Sequence, residues 1–135
     1  MGRLVGKMKI KHECLEDAVS AGDAPWDDCV GGDFHVAVFL DKYPVTSGHL
    51  LFVPVYNTNE VLRDCFYDAL THGHKLVEQG ECEGFNIGIN FGESAGQTVN
   101  YPHIHLIPRR KGDVSDPTGG VRNVIPEKGN YRKIK

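Results

Sequence analysis

The chain has 135 residues, 40% of them hydrophobic and 24% charged, with a formal net charge of −3. That is about one domain's worth of chain, enough to bury a single core. A near-neutral balance excludes the strongly basic character of a general nucleic-acid or membrane-surface binder, while leaving room for local sites that take a small anion.

At the N-terminus, "MGRLVGKMKIKHEC" carries no apolar block followed by a small-residue cleavage site, and Gly6 stands where a myristoylation signal needs Ser or Thr. No apolar run approaches the roughly 18 residues of a spanning helix. Cys14, Cys29, Cys65 and Cys82 form no C-x-x-C pair. These features predict reduced thiols in a cytoplasmic protein, with neither a disulfide nor a structural zinc site.

Residues 12–21 suit a short helix, and the Gly/Asp/Pro-rich stretch 22–28 a turn region. "DFHVAVFLD" (33–41) and "HLLFVPV" (49–55) read as strands joined across Pro44 and Gly48, a hairpin with a long loop. Thr58 or Asn59 is a helix N-cap and Gly80 the residue past its end. Between them Val61, Leu62, Cys65, Phe66, Leu70, Leu76 and Val77 recur at helical spacing, the longest helix of the chain. Two further strands are predicted at 84–92 and 102–109. The tail, 111–135, combines turn chemistry with a short apolar patch, Val121 to Ile125. Strands around one dominant helix predict a single α+β domain over 1–135, an antiparallel β-sheet with one long helix packed on it.

Chemistry concentrates in "GQTVNYPHIHLIPRR" (96–110). In a strand, alternate side chains share a face, so Tyr101, His103 and His105 point one way and Ile104 and Leu106 the other. The apolar pair takes the core, which leaves the histidines on the accessible face. On the strand alone, a half-exposed strand that happens to carry histidines explains them as well as a site does. The preceding loop adds Gly92 and Gly96, which let backbone approach a ligand, and the polar Gln97 and Thr98. Imidazoles beside such an anion cradle suit phosphoryl or nucleotidyl transfer. His49, at the head of the preceding strand, can approach from next door. By contrast, His72 and His74 sit about 200° apart around the long helix and read as solvated surface. His12 and His35 have no partner in sequence. Arg109, Arg110 and Lys111 either draw phosphates or form a solvated strand end, and Trp26 packs a loop or an interface.

Taken together, "PVTSGHLLFVP" and "NFGESAGQTVNYPHIHLIPRR" resemble the histidine triad family of nucleotide hydrolases and transferases, over a motif-bearing core of about 33–110. The family signature His-φ-His-φ-His-φ-φ stands here as Tyr101-Pro102-His103-Ile104-His105-Leu106-Ile107. The tail is similar to the bacterial diadenosine-tetraphosphate-hydrolase-like branch. The resemblance implies that His103 is a nucleophile attacking an α-phosphorus, that His105 contacts phosphate oxygens, and that His49 assists on the phosphate and leaving-group side. It also implies that Gln97, Thr98 and Asn90 bind phosphates, that Asp41 holds the ribose, and that Phe39, Leu40 and Leu51 line a base pocket. The implied protein is a homodimer that hydrolyses a dinucleoside polyphosphate or a nucleoside phosphate ester or amidate. A phosphorylase, a nucleotidyltransferase or a nucleotide-binding module with little turnover are the alternatives. Tyr101 replaces the first histidine; it keeps the backbone carbonyl that supports the nucleophile but loses an imidazole. With that imidazole gone and no N-terminal cysteine pair, no metal or other cofactor is expected.

Overall fold

The computed structural model describes residues 11–133; the readings of the first ten residues lie outside that range. The elements run α1 (Leu15–Ser20), β1 (Cys29–Gly32), β2 (Val36–Leu40), β3 (Leu50–Pro54), α2 (Asn59–Glu78), β4 (Gly84–Ile89) and β5 (Ile104–Arg109), followed by short 3₁₀ turns in the tail. The strands form one antiparallel sheet in the order β1-β2-β3-β5-β4. This is the α+β architecture expected, with one long helix on one face.

The helix starts where its capping chemistry places it. The Thr58 side chain accepts the Val61 N–H (3.2 Å), satisfying one of the donors a helix N-terminus leaves open. Gly80, just past the end, has φ +77°, a conformation that other residues adopt only at a cost. Of the predicted apolar positions, Val61 and Cys65 are buried, with Ala69 and Gly73 continuing the same stripe. Phe66, Tyr67, Leu70 and Val77 form a second stripe that remains exposed. His72 is half-buried, its ring centroid 6.1 Å from that of Phe52, rather than fully solvated.

Period-two alternation sorts the sheet into two faces. Val36, Leu50, Phe52, Ile104 and Leu106 pack under α2 with Cys65 and Ala69. Phe39, Leu51, Val53 and Tyr101 pack on the opposite face with Leu15, Ala18, Ala24 and Trp26. β3 is therefore buried along its whole length. The histidine face is not open, contrary to the expectation from the strand pattern. α1 and the loop carrying Trp26 cover half of it. β1 was not expected: it is an exposed, glycine-ended edge strand with a register shift between Cys29 and Gly31, and it lacks the apolar alternation that marks a strand.

Candidate active site

Three imidazoles meet on the covered face, and each is placed by a different element. His105 lies in β5, paired with Leu51 on one side and Gly88 on the other. His103 immediately precedes β5. His49 ends the loop between β2 and β3, a loop anchored to the end of β5: the Thr46 hydroxyl donates to Pro108 O (2.7 Å), and Arg110 donates to Ser47 O (2.9 Å). Gly48, at φ +89°, makes the turn that brings His49 inward. His49 and His103 are 3% and 9% exposed. The rings of His103 and His105 lie 5.1 Å apart between centroids, and those of His49 and His105 5.2 Å.

Backbone groups fix the proton positions. Tyr101 O can only accept, so His103 Nδ1, 2.9 Å away, carries the hydrogen and Nε2 keeps its lone pair. The Val45 N–H donates to His49 Nδ1 (3.2 Å), which puts the His49 proton on Nε2. That N–H faces His105 Nδ1 at 2.9 Å and Asp41 Oδ2 at 3.4 Å. His105 then accepts at Nδ1 and carries its own proton at Nε2, a buried atom with no hydrogen-bond partner among the described residues. The result is one ring with an unshared lone pair beside one ring with an unanswered donor.

Electrostatics keeps all three neutral near pH 7. Burial lowers the pKa of His103 below that of an ordinary imidazole, and the hydrogen bond to Tyr101 O only partly opposes it. Burial likewise lowers His49 against the pull of Asp41. His105 is pushed down to about 4, by burial first and then by its two histidine neighbours.

A cleft of about 350 Å³ opens onto His103 and His105, and it gathers most of the positions the sequence singled out: Asp41, Leu51, Asn90, Gln97 and Thr98. Asp41 is held by the Tyr43 N–H, which donates to Oδ1 (2.7 Å). Phe39 lies behind the wall, packed on Trp26 (6.1 Å between centroids). Leu40 does not join the site. It pairs with Leu50, so alternation points it to the α2 face, away from Phe39 and Leu51.

Gln97 turns inward as well. Its side-chain oxygen accepts the Gly92 N–H (2.8 Å), and its amide donates to Val99 O (3.1 Å) and Asn100 O (2.9 Å), so it braces the loop. The Gly96 and Gln97 N–H groups close the same turn onto Glu93 O and Gly92 O. Trp26, read only as a packing residue, lines the cleft with its ring 4.9 Å from His103, beside Pro25, Lys42 and Tyr43. These four sit in irregular segments, where no periodicity reveals direction. Arg109 and Arg110 are spent elsewhere. Arg109 makes two bonds to Asp113 and one to Asn86, and Arg110 donates to Glu81 O and Ser47 O.

Asp41, His49 and His105 bring potential ligand atoms within 4.8 Å of one another, a metal-like spacing. A metal on His49 Nε2 would need Nδ1 protonated and donating outward. Here the Val45 N–H points its own donor at Nδ1, so two donors would oppose each other. The donor set does not fit a resident divalent ion.

Fold and site together define an antiparallel-sheet domain built around a neutral three-imidazole centre beside a glycine-braced turn. Residues 26–112 match the HIT domain family, and the chain belongs to it. It is 37% identical over 114 residues to Protein hit of Bacillus subtilis, covering 78% of each chain. It is 34% identical to the asymmetrical bis(5′-nucleosyl)-tetraphosphatase of Schizosaccharomyces pombe, covering 73% of this chain and 58% of that protein. Among solved structures, the zinc-bound histidine triad family protein of Mycobacterium smegmatis superposes with a TM-score of 0.62 at 32% identity, over 74% of this chain and 77% of that one.

Proposed function

We propose that the protein is a nucleotidyl hydrolase acting on a dinucleoside polyphosphate or a nucleoside phosphate ester or amidate, through a transient nucleotide bond to His103. The observation that carries this reading is the Tyr101 carbonyl holding His103 Nδ1–H, which leaves Nε2 as a neutral nucleophile at the cleft. In the first step a bond forms from Nε2 to the α-phosphorus and the bond to the leaving atom breaks. The leaving atom takes up a proton from water. In the second step water attacks phosphorus, the bond to His103 breaks, and the proton returns to solvent.

The unanswered His105 Nε2–H supplies a donor for a phosphoryl oxygen. A positioned donor of this kind contributes about 2.7–4 kcal/mol to a transition state that gathers charge on oxygen. Thr98 and Val99, which line the cleft after the closed turn, supply further backbone donors, and Asn90 flanks the same atoms. Asp41 faces the ribose, while Trp26 and Leu51 take the base. Gln97 acts by holding the turn. The S. pombe relative is a tetraphosphatase by name, which supports the polyphosphate branch of the reading.

The test is turnover of adenosine and guanosine polyphosphates and amidates by the parent and by His103→Ala. The reading expects nucleoside monophosphate as product and a loss of at least about a thousandfold in the variant. A variant that keeps the parent's rate would refute it. Product that becomes nucleoside diphosphate only when inorganic phosphate is added would instead assign a phosphorylase. Binding without turnover by the parent would assign a nucleotide-binding module.

We infer a homodimer joined through the second apolar stripe of α2, where Phe66, Tyr67 and Leu70 are exposed, and through β4, whose outer edge has no strand partner among the described residues. Light scattering should report twice the chain mass, and Tyr67→Glu with Leu70→Glu should halve it. Four unpaired cysteines support a cytoplasmic setting. Among the described residues no helix is long and apolar enough to cross a membrane.

A further inference from the structure

Trp26 stands 4.9 Å from His103 and 6.1 Å from Phe39 between ring centroids, yet its own stretch of chain has little to hold it. Residues 24–27 belong to no helix or strand, and among the described residues no bond between main-chain groups begins or ends on them. On one side the Asp23 N–H closes onto Ala18 O (2.8 Å), and on the other Asp28 O accepts from the Leu40 N–H (3.0 Å). The Lys42–Asp27 pair beside the indole, 3.4 Å apart and largely exposed, adds little.

Upstream, α1 is no firmer by itself. Its six residues are too few for a helix to persist alone, and the N-cap residue Cys14 makes no side-chain capping bond. The segment before it, by contrast, is fastened to the link between β3 and α2. Asn57 donates from its side chain to His12 O (3.0 Å) and from its backbone to Glu13 O (2.9 Å), and the Leu15 N–H donates to Val55 O (2.8 Å). From that anchor His12, which has no partner in sequence, reaches past the whole of α1: its Nε2 lies 2.7 Å from Asp23 Oδ2. The His12 side chain is only 12% exposed, so the bond is sheltered from water. One bond thus joins the fixed end of this cover to its loose end, just ahead of the indole.

We propose that His12 and Asp23 form a clasp that fixes the Trp26 indole at the cleft, which makes both of them positioning residues for nucleotide binding. This rests on the reading that Trp26 takes the base, and it identifies what holds that ring ready. A ring already in place spares binding the ordering of that side chain, worth about three- to tenfold in affinity. Neither His12 nor Asp23 lines the cleft, so losing the clasp should raise KM and leave kcat alone.

Trp26 is the chain's one tryptophan, so its fluorescence reports the indole directly. The full chain is compared with His12→Ala, Asp23→Ala, the double variant, and Asp23→Asn, whose side-chain carbonyl still accepts from His12. The Asp23 side chain is 44% exposed, so trimming it opens no core cavity. Adenosine 5′-monophosphate is titrated by calorimetry, and kcat and KM are measured with an adenosine phosphoramidate. Each alanine variant should redden the emission and open it to acrylamide quenching. Each should also weaken monophosphate binding and raise KM by about three- to tenfold, with kcat within about twofold of the parent. The double variant should lose no more than either single one, because the same interaction is removed only once. Asp23→Asn should behave as the parent. Unchanged emission in both alanine variants, additive losses in the double, or a kcat that falls with the melting temperature at constant KM overturns the clasp while the nucleotide site stands. Emission that shifts while the monophosphate binds as before overturns the binding role, since the indole would then stand clear of the base. Failure of the parent to bind the monophosphate overturns the nucleotide reading itself and the positioning role with it.

Discussion

Replacing Tyr101 with Phe separates the two jobs the residue performs. Its ring is 2% exposed among Leu15, Trp26 and Phe39, and its hydroxyl donates to Pro54 O at 2.7 Å. Its backbone carbonyl holds His103 Nδ1. Phe keeps the ring and the carbonyl and removes only the hydroxyl. The buried carbonyl of Pro54 then loses its partner, which costs about 1–3 kcal/mol. For a domain of this size that lowers the melting temperature by about 4–12 °C. Because the carbonyl is untouched, kcat should stay within about threefold of the parent. Thermal denaturation and steady-state kinetics on the same preparation check both numbers. A collapse of kcat by a hundredfold at an unchanged melting temperature would show that the hydroxyl acts in the chemistry, and the division of roles argued here would be wrong. Tyr101→His, which restores the family's first histidine, should be the more damaging substitution, since a smaller polar ring would enter an apolar pocket at a cost of about 2–5 kcal/mol.

Stability should depend on pH through the buried imidazoles. The folded-state pKa of His105 is about 4, below the ordinary value of 6.5. The unfolded chain therefore takes up a proton that the folded chain resists, and stability should fall as pH drops from 6.5 to about 4 and level off above that window. Urea denaturation at pH 7 and pH 5 should show the loss, and His105→Gln should shrink it; a profile unchanged by the variant would refute the assignment. Because His103 is also depressed, kcat/KM should keep its neutral-pH value down to below pH 6.5, and an acid limb starting above 7 would contradict a neutral buried nucleophile. Gln97→Ala removes three bonds that brace the glycine turn and should lower kcat/KM by about tenfold or more with a smaller effect on unfolding, since misplaced positioning groups cost rate steeply. Unchanged kinetics would show that the turn holds its shape without the brace.

What the sequence revealed and what it hid follow from the kind of signal each feature carries. Thr58 and Gly80 bounded α2 because capping and left-handed backbone are local requirements, readable one residue at a time. Alternation placed Ile104 and Leu106 inward and the histidines opposite, and the pairing of His105 with Leu51 confirms that face. Alternation also separates Leu40 from Phe39 and Leu51, so assigning all three to one pocket contradicted the strand's own period. Coverage of a face is a tertiary property. Nothing local announced that α1 and the Trp26 loop would lie over the histidines, which is why Trp26 passed for packing and the imidazoles for accessible. The engaged amide of Gln97 was hidden for the same reason, because a loop's internal bonds have no sequence period.

Mass spectrometry of acid-labile adducts, after rapid mixing with an adenosine phosphoramidate and quenching within one turnover, tests the central claim most directly. An adenylyl group should appear on the peptide carrying His103 and vanish in His103→Ala, with His105 and His49 unmodified. An adduct on either of those rings, or steady turnover with no adduct on any histidine, would contradict the account.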